Sequence, residues 1–393
     1  MTPAKPRSTG RARRAAAEAV AEAARSAQDL PPPRTLAQCR REIDRLDEAI
    51  IALLDRRAEV ARRVGQLKTV QGKDVFDAGR HLQLLNGIAR RGRGDFPSEG
   101  LRNVFGEILS VCLNLQAPQT IAFLGPEATF THIAARRAFG RSPQFVDYET
   151  IPDIFLAVEK GWAHYGVVPI ENSTGGVIHA TLDELMNYEL SICAEVYIPI
   201  RHHLLAAGPR SAIRRVCTHP QILSQCRVWL RENLPGVEQV ETATSAEGAK
   251  LAQADPTVAT IGSAMAAEIY HLTILEEGIE DKKDNVTRFL IIGRQRSRPS
   301  GQDRTSIMFS IKDEPGALYH LLKPFADRKI NMTKIESRPT RMRAWDYIFF
   351  VDIEGHISNP TVAKVIEKLR RHCTYLRVLG SYPRDHQPKI TSD

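Results

Sequence analysis

The chain lacks any apolar run of about 18 residues, the length that spans a bilayer core, so no membrane-spanning helix is expected. Its six cysteines are scattered without a CxxC pair. That argues against a zinc or disulfide framework and fits reduced thiols in a cytoplasmic protein. There is no Walker lysine and no GxGxxG after an apolar strand, which disfavours a nucleotide site. The adjacent His202 and His203 make a poor metal pair, because neighbours on a strand point to opposite faces; one packed and one exposed histidine is the expectation. The first 34 residues have no apolar core of the kind a secretory signal needs.

The residues that are present suit two or three domains: 393 positions, 42% hydrophobic and 25% charged. The net charge of +8 invites a nucleic-acid reading. However, residues 1–34 hold seven basic residues against three acidic ones, so half of the excess lies in an Ala/Arg-rich segment ending in Pro31-Pro32-Pro33. This composition reads as a disordered tail, and it has none of the aromatics of a nucleic-acid platform. No nucleic-acid partner is expected.

From Leu36 the apolar positions step by three and four: Cys39, Ile43, Leu46, Ile50, Leu53, then Arg57, then Val60, Val64 and Leu67. This is a heptad seam along a helix of roughly 50 Å. Arg57 breaks the seam, and a buried charge needs either an ion pair from another helix or an anionic ligand. Lys68 lies about 20° from Arg57 around the helix and shares its side, whereas Arg40 lies about 100° away. If Arg40 serves the same ligand, it does so for a second copy of the chain. Two shorter helices are expected at about 78–90 and 99–116, separated by Arg91-Gly92-Arg93-Gly94. The last carries the stripe Phe105, Leu109, Cys112, Gln116, ending in an amide. One long and two short helices cannot cover the seam, so a dimer is expected.

Strand and helix then alternate, which argues for an α/β domain. Strands are expected at 120–124, 167–170, 191–199, 203–206, 214–218, 258–261 and 286–293, with helices at 133–139 and 178–188. Loops leaving strands carry ligands in such folds. Here they include Gly125-Pro126-Glu127-Ala128-Thr129-Phe130-Thr131, Pro169-Ile170-Glu171-Asn172-Ser173-Thr174-Gly175-Gly176, and Thr218-His219-Pro220-Gln221 with Gln225-Cys226 close behind. Asp284-Asn285-Val286-Thr287-Arg288-Phe289 leads into the apolar strand Leu290–Gly293. There a hydroxyl that can donate sits beside a guanidinium that can grip a carboxylate with two prongs. Any one of these motifs alone reads as an ordinary turn or strand start. A polar stretch, Arg294–Asp303, precedes a βαββαβ pattern with strands at 305–312, 331–338, 347–353 and 376–379 and helices at 317–328 and 360–372.

Taken together, the four loop motifs resemble the prephenate dehydratase family. Residues 35–117 resemble the all-helical chorismate mutase family, and Gly316-Ala317-Leu318 with Glu336-Ser337-Arg338-Pro339 resembles the phenylalanine-responsive ACT domain. The resemblance covers about residues 36–385 and implies the bifunctional chorismate mutase/prephenate dehydratase family of phenylalanine biosynthesis. The implied fold is multidomain: a disordered tail (1–34), a dimeric all-α three-helix mutase domain (35–117), a two-lobed α/β dehydratase domain (118–297) and an α+β ferredoxin-like ACT domain (303–385).

By that resemblance, mutase ligand positions fall on Arg40, Arg57, Lys68, Asp77, Arg80, Cys112 and Gln116. His81 stands where the family usually has glutamate, which implies either normal or impaired mutase activity and a pH dependence between about 5 and 8. In the dehydratase, Thr287 is implied to hydrogen-bond the departing hydroxyl and Arg288 to anchor a carboxylate. Asn172, Thr218 and Gln225 would be polar contacts, and Thr129, Ser173, Thr174 and Phe289 would line the substrate. The family commonly has glycine where Ala128 stands. Gly316, Ala317, Leu318, Glu336, Ser337 and Arg338 would bind phenylalanine; the alternative is an ACT module used only for dimerisation. Chorismate, prephenate and phenylalanine are the implied small-molecule partners, a homodimer or larger homo-oligomer the assembly, and no metal or cofactor is called for. A non-catalytic, small-molecule-sensing regulator is the rival reading, but it predicts a recognition helix that the sequence does not contain.

Overall fold

A computed structural model describes residues 34–72, 75–91, 94–311, 314–339 and 347–385. The tail expected over residues 1–34 therefore lies outside the described residues except for Arg34, as do Gly92, Arg93 and Asp313 of two expected turns and Lys312 at the end of an expected strand. The chain forms two compact units, one from the segment ending at Val75 with Ile108–Pro118, the other from Phe76–Glu107 and Gln119 onwards.

In the first unit, α1 (Leu36–Val70) begins at Thr35. The Thr35 hydroxyl accepts from the Gln38 N–H at 3.2 Å, and the Gln38 side chain accepts from the Thr35 N–H at 3.0 Å. This reciprocal cap satisfies two donors that a helix start leaves open. The expected apolar seam is present but uncovered: Ile43, Leu46, Ile50, Leu53, Val60, Val64 and Leu67 are all exposed, and only Ala61 and Gly65 are buried. α2 (Ala78–Arg91) belongs to the second unit, and α3 (Ser98–Gln116) ends in the first. A Cβ on Gly65 would stand 2.5 Å from the Gln116 carbonyl oxygen, so only glycine lets α1 approach the end of α3 this closely.

The second unit holds two lobes and a third domain. β1 (Thr120–Leu124), α4 (Phe130–Phe139), β2 (Gln144–Tyr148), α5 (Ile151–Lys160), β3 (Tyr165–Asn172), β4 (Gly176–Val177), α6 (His179–Asn187) and β5 (Ser191–Pro199) build the first lobe. β6 (His203–Ala206), β7 (Arg215–Thr218), α7 (Pro220–Gln225), α8 (Arg227–Asn233), β8 (Glu238–Glu241), α9 (Ser245–Ala254), β9 (Val258–Gly262), α10 (Ala264–Tyr270) and β10 (Thr273–Glu276) build the second. β11 (Val286–Gly293) returns to the first lobe. The sheet orders are β2-β1-β3-β11-β5, with β4 beside β3, and β10-β6-β9-β7-β8. The chain crosses between lobes twice. The two crossings are tied by Ile200 N–H to Asn285 O and by Ile279 N–H to His202 O, both 2.8 Å. Buried Glu280 reinforces them, accepting from the His202 N–H at 2.8 Å and from Arg201 Nη1 at 2.7 Å.

The third domain runs β12 (Asp303–Ser310), α11 (Ala317–Asp327), β13 (Met332–Pro339), β14 (Tyr347–Glu354), α12 (Pro360–Arg370) and β15 (Tyr375–Pro383), in the antiparallel order β13-β14-β12-β15. Strand alternation gives this sheet two apolar faces. Ile307, Phe309, Val351 and Ile353 pack with Leu321, Phe325, Val365 and Leu369 of the two helices. Met308, Phe350, Leu379 and Tyr382, on the other face, join the first lobe's core with Leu185, Ile192, Leu290 and Ile292. Each such burial is worth about 1.5–3 kcal/mol, so the third domain is bonded to the first lobe rather than tethered by a linker.

Candidate active sites

β3 and β11 run antiparallel, with Thr287 opposite Asn172 and Arg288 opposite Glu171. Because successive side chains alternate faces, the polar pair and the charged pair point to opposite sides of the sheet. On one side, Asn172 Nδ2 donates to Thr287 Oγ1 at 2.8 Å and to Asn285 Oδ1 at 2.6 Å. Asn172 Oδ1 accepts from the Thr174 N–H, the Thr174 hydroxyl and the Gly175 N–H, at 3.0, 2.7 and 2.7 Å. With its oxygen on three donors and its nitrogen on two acceptors, the Asn172 amide has one orientation. The Thr287 oxygen is thereby occupied as an acceptor, and among the described residues no acceptor is within reach of its proton. Thr287 is thus a buried hydroxyl set to donate.

Arg288 corrects the expectation of a substrate carboxylate anchor. It is 3% exposed, and its guanidinium is closed by Glu195 at 2.8 Å, Glu171 at 3.0 Å, Asp352 at 2.7 Å and the Tyr382 hydroxyl at 3.0 Å. Arg304 adds a second bond to Glu195 and one to the Tyr197 hydroxyl, and Lys334 pairs with Glu171 at 2.6 Å. Three cations thus face three carboxylates, the condition under which buried charge is tolerable. Burial pushes the Glu171 and Asp352 carboxyls up, but their cationic partners outweigh it and hold both below the usual range. Glu195 is so enclosed that burial leaves it raised despite Arg288 and Arg304.

The remaining dehydratase residues divide. Ser173 and Thr174 are exposed on the loop after β3, where Ser173 Oγ donates to Asp284 O at 3.1 Å and accepts from the Val286 N–H at 2.9 Å. Thr129 caps α4, accepting from the His132 N–H at 3.3 Å and donating to Leu124 O at 3.0 Å. The residue before it, Ala128, has φ +68°, the left-handed region that favours glycine. Gln225 is half-buried, with Oε1 2.7 Å from His202 Nε2. His202 is buried and His203 half-buried, so the expected exposed partner is not found. Thr218 does not serve as a polar contact as expected: it is fully buried and spends its hydroxyl on Ile261 O at 3.0 Å. Phe289 is likewise packed out of reach at 2% exposure. Asn285, two residues before Thr287 and so on the same face, was missed; that spacing was its only sequence signal.

In the first unit, Arg57 Nη1 donates to Ile108 O at 3.4 Å and Lys68 Nζ to Val75 O at 2.6 Å. Cys112 is buried, Gln116 Nε2 donates to Cys112 O at 3.3 Å, and Gln116 Oε1 is buried without a partner among the described residues. Arg40 is exposed. In the second unit, Asp77 Oδ1 accepts from the Arg80 N–H at 3.0 Å, and Arg80 is exposed. The His81 ring lies against Phe76, with centroids 5.9 Å apart. Burial, helped by Arg102, pushes its pKa down to about 4. The neutral ring is therefore favoured, which works against the titration expected between pH 5 and 8.

In the third domain, Gly316 has φ +80° at the start of α11, with Ala317 and Leu318 half-buried after it. Glu336 and Arg338 share the half-buried face of β13 as expected, and Ser337 is exposed. Arg338 pairs with Asp183 of α6 at 2.6 Å. Among the described residues, no group of three His, Cys, Asp or Glu side chains is placed to hold a metal ion, and no helix is long and apolar enough to cross a membrane.

Fold and sites together define a multidomain enzyme with a helical domain, a two-lobed α/β dehydratase domain and a C-terminal ferredoxin-like domain. Residues 39–117 match chorismate mutase type II, residues 121–297 prephenate dehydratase and residues 305–371 the ACT domain. The bifunctional chorismate mutase/prephenate dehydratase of Aquifex aeolicus (strain VF5) is 43% identical over 354 residues, 89% of this chain and 98% of its own. The crystal structure of prephenate dehydratase from Arthrobacter aurescens in complex with L-Phe is 34% identical with a TM-score of 0.62, covering 69% of this chain and 92% of that one. GqqA, described as a novel type of quorum quenching acylase, is 29% identical with a TM-score of 0.62, covering 68% and 98%. The chain belongs to the bifunctional chorismate mutase/prephenate dehydratase family, with a domain for each activity.

Proposed function

We propose that the helical domain rearranges chorismate to prephenate and that the cleft at Thr287 converts prephenate to phenylpyruvate, under inhibition by phenylalanine. The Thr287 hydroxyl, which accepts from Asn172 and has no acceptor for its proton among the described residues, carries the reading. As the carbon–carbon bond to the departing carboxylate breaks, its electron pair completes the aromatic ring and the carbon–oxygen bond breaks opposite. The oxygen leaves as water by taking a proton through the Thr287 hydroxyl, which is reprotonated from solvent, and a donor held on that oxygen lowers the barrier. The electrons stay within the substrate, so the step calls for no redox cofactor. Arg288 being committed elsewhere, we assign the substrate's polar groups to Thr129, Ser173, Thr174 and Gln225.

For the mutase, Arg57, Lys68, Asp77, Arg80, Cys112 and Gln116 are the assigned ligand positions, with Arg40 supplied by a second copy. Cationic side chains would hold chorismate's carboxylates in a compact conformer, and Lys68 and Gln116 would stabilise charge on its ether oxygen. The exposed seam of α1 supports a homodimer, because contiguous apolar surface of this length marks an interface. Gly316–Leu318 and Glu336–Arg338 are the proposed phenylalanine positions, 35–117, 118–297 and 303–385 the domain limits, and the cytoplasm the location. Supplying chorismate and prephenate separately, with and without phenylalanine, tests the reading. It requires prephenate from the first, phenylpyruvate from both, and less phenylpyruvate with phenylalanine. A protein that consumes neither substrate refutes it.

A further inference from the structure

The charge cluster behind the dehydratase cleft lies where the third domain packs on the first lobe. Its members are not spread over the contact. They converge on the two residues that directly follow or precede the reacting pair: Arg288 after Thr287, and Glu171 before Asn172. Both are gripped from the ACT domain, Arg288 by Asp352 of β14 and by the Tyr382 hydroxyl of β15, and Glu171 by Lys334 of β13. Asp352 is in turn held by Ser306 of β12 through a 2.5 Å bond, and Ser306 also bonds the Tyr382 hydroxyl at 2.6 Å. All four ACT strands therefore meet on one cross-strand pair.

We propose that Arg288 and Glu171 are positioning residues, and that the ACT domain, through Asp352 and Lys334, holds the Thr287–Asn172 pair in its donating arrangement. A strand is stiff along its length, so fixing one side chain of a cross-strand pair fixes the backbone that carries the next. The β3 strand is also irregular at this point, with an extra residue between the partners of Arg288 and Phe289. Such a bulge loosens the ladder locally and re-aims the side chains beside it. The bulge sits directly beside the Arg288–Glu171 pair, and the ionic strap adds a constraint there that the interrupted β3–β11 ladder does not supply. Lys334 also stands two residues before Glu336 on β13, so the strap and the proposed effector positions share one edge strand. Displacement of that strand would release Glu171 without any contact to the substrate.

The inference rests on the dehydratase assignment of the cleft. Lys334 is outside the cleft machinery and 13% exposed in its side chain, which makes it the place to cut the strap. Lys334→Gln should lower the dehydratase kcat about 10- to 100-fold, the range that a misplacement near 1 Å produces, with KM changed by no more than about twofold. The mutase rate of the same preparation serves as the measure of folded protein. Lys334→Arg, which keeps the charge, should restore kcat to within about threefold of wild type. An unchanged kcat in Lys334→Gln, or an equal loss in Lys334→Arg, overturns the proposal. Failure of the dehydratase assignment would look different: the wild-type protein itself would not turn over prephenate.

Discussion

The helical segment and the dehydratase–ACT body handle their apolar and charged residues in opposite ways. Along the 35 residues of α1, the chain buries only Ala61 and Gly65 and leaves most of its heptad seam exposed. Along β5 and β11, nearly every residue is buried, and even the charges find partners inside the same chain. One region completes itself within a single copy; the other leaves exposed the apolar surface on which the proposed dimer rests. The same contrast separates the proposed sites. The donor pair of the dehydratase is fixed by bonds within one chain, whereas Arg40 points away from the side of α1 that carries Arg57 and Lys68.

The sharpest break between the regions should come from Thr287→Val. Removing the donor should lower dehydratase kcat about 10²- to 10⁴-fold while chorismate consumption is unaffected. A mutase rate that falls in parallel, in a protein of normal circular dichroism, would mean that the two sites are not independent. Arg288→Met comes next. It strands Asp352 as an uncompensated buried carboxylate and leaves Glu195 to Arg304 alone, and breaking a buried pair costs about 3–5 kcal/mol. Urea unfolding should show that loss in the transition of the dehydratase–ACT body; a shift near zero would mean the cluster is water-penetrated.

Much of this was legible beforehand, and what was not has physical causes. β5, β6 and β11 fall where their apolar runs placed them, and α1 follows its seam. β2 and β8 were overlooked because they are edge strands with mostly exposed or half-exposed residues, which gives no alternation to read. The role of Arg288 was unreadable for another reason. Its partners Glu195 and Asp352 are 93 and 64 residues away; the pairing of β5 with β11 brings the first, and only the docking of the ACT sheet brings the second. Sequence showed a guanidinium beside a hydroxyl; strand alternation sent the two to opposite faces.

Two smaller effects sharpen the comparison within the body. Burial and Arg136 push the His132 imidazole down to about 4, against Asp147, and its Nδ1 accepts from the Ala128 N–H at 3.2 Å. The folded state thus favours the neutral ring, while the unfolded ring titrates near 6.5. Protons bind the unfolded chain first, so stability contributed here is present above about pH 6.5 and is lost as pH falls towards 4. His132→Asn should flatten part of that decline in thermal midpoint between pH 7 and 5; an identical slope would show that other groups cause it. Ala128→Gly, which relieves a left-handed backbone, should raise stability by about 1 kcal/mol in urea unfolding, and a loss of stability would show that the methyl's packing matters more.

The most direct measurement mixes inactive chains. Arg40→Ala and Arg57→Ala proteins, unfolded together and refolded so that copies exchange, should recover mutase activity in about a quarter of the sites, because half the dimers are mixed and each has one intact site. Asn172→Ala and Thr287→Ala proteins treated in the same way should recover no dehydratase activity, since each mixed pair still holds one defect per cleft. Dehydratase recovery, or no mutase recovery despite demonstrated mixed dimers, would contradict the division between a site shared by two copies and one built within a single chain.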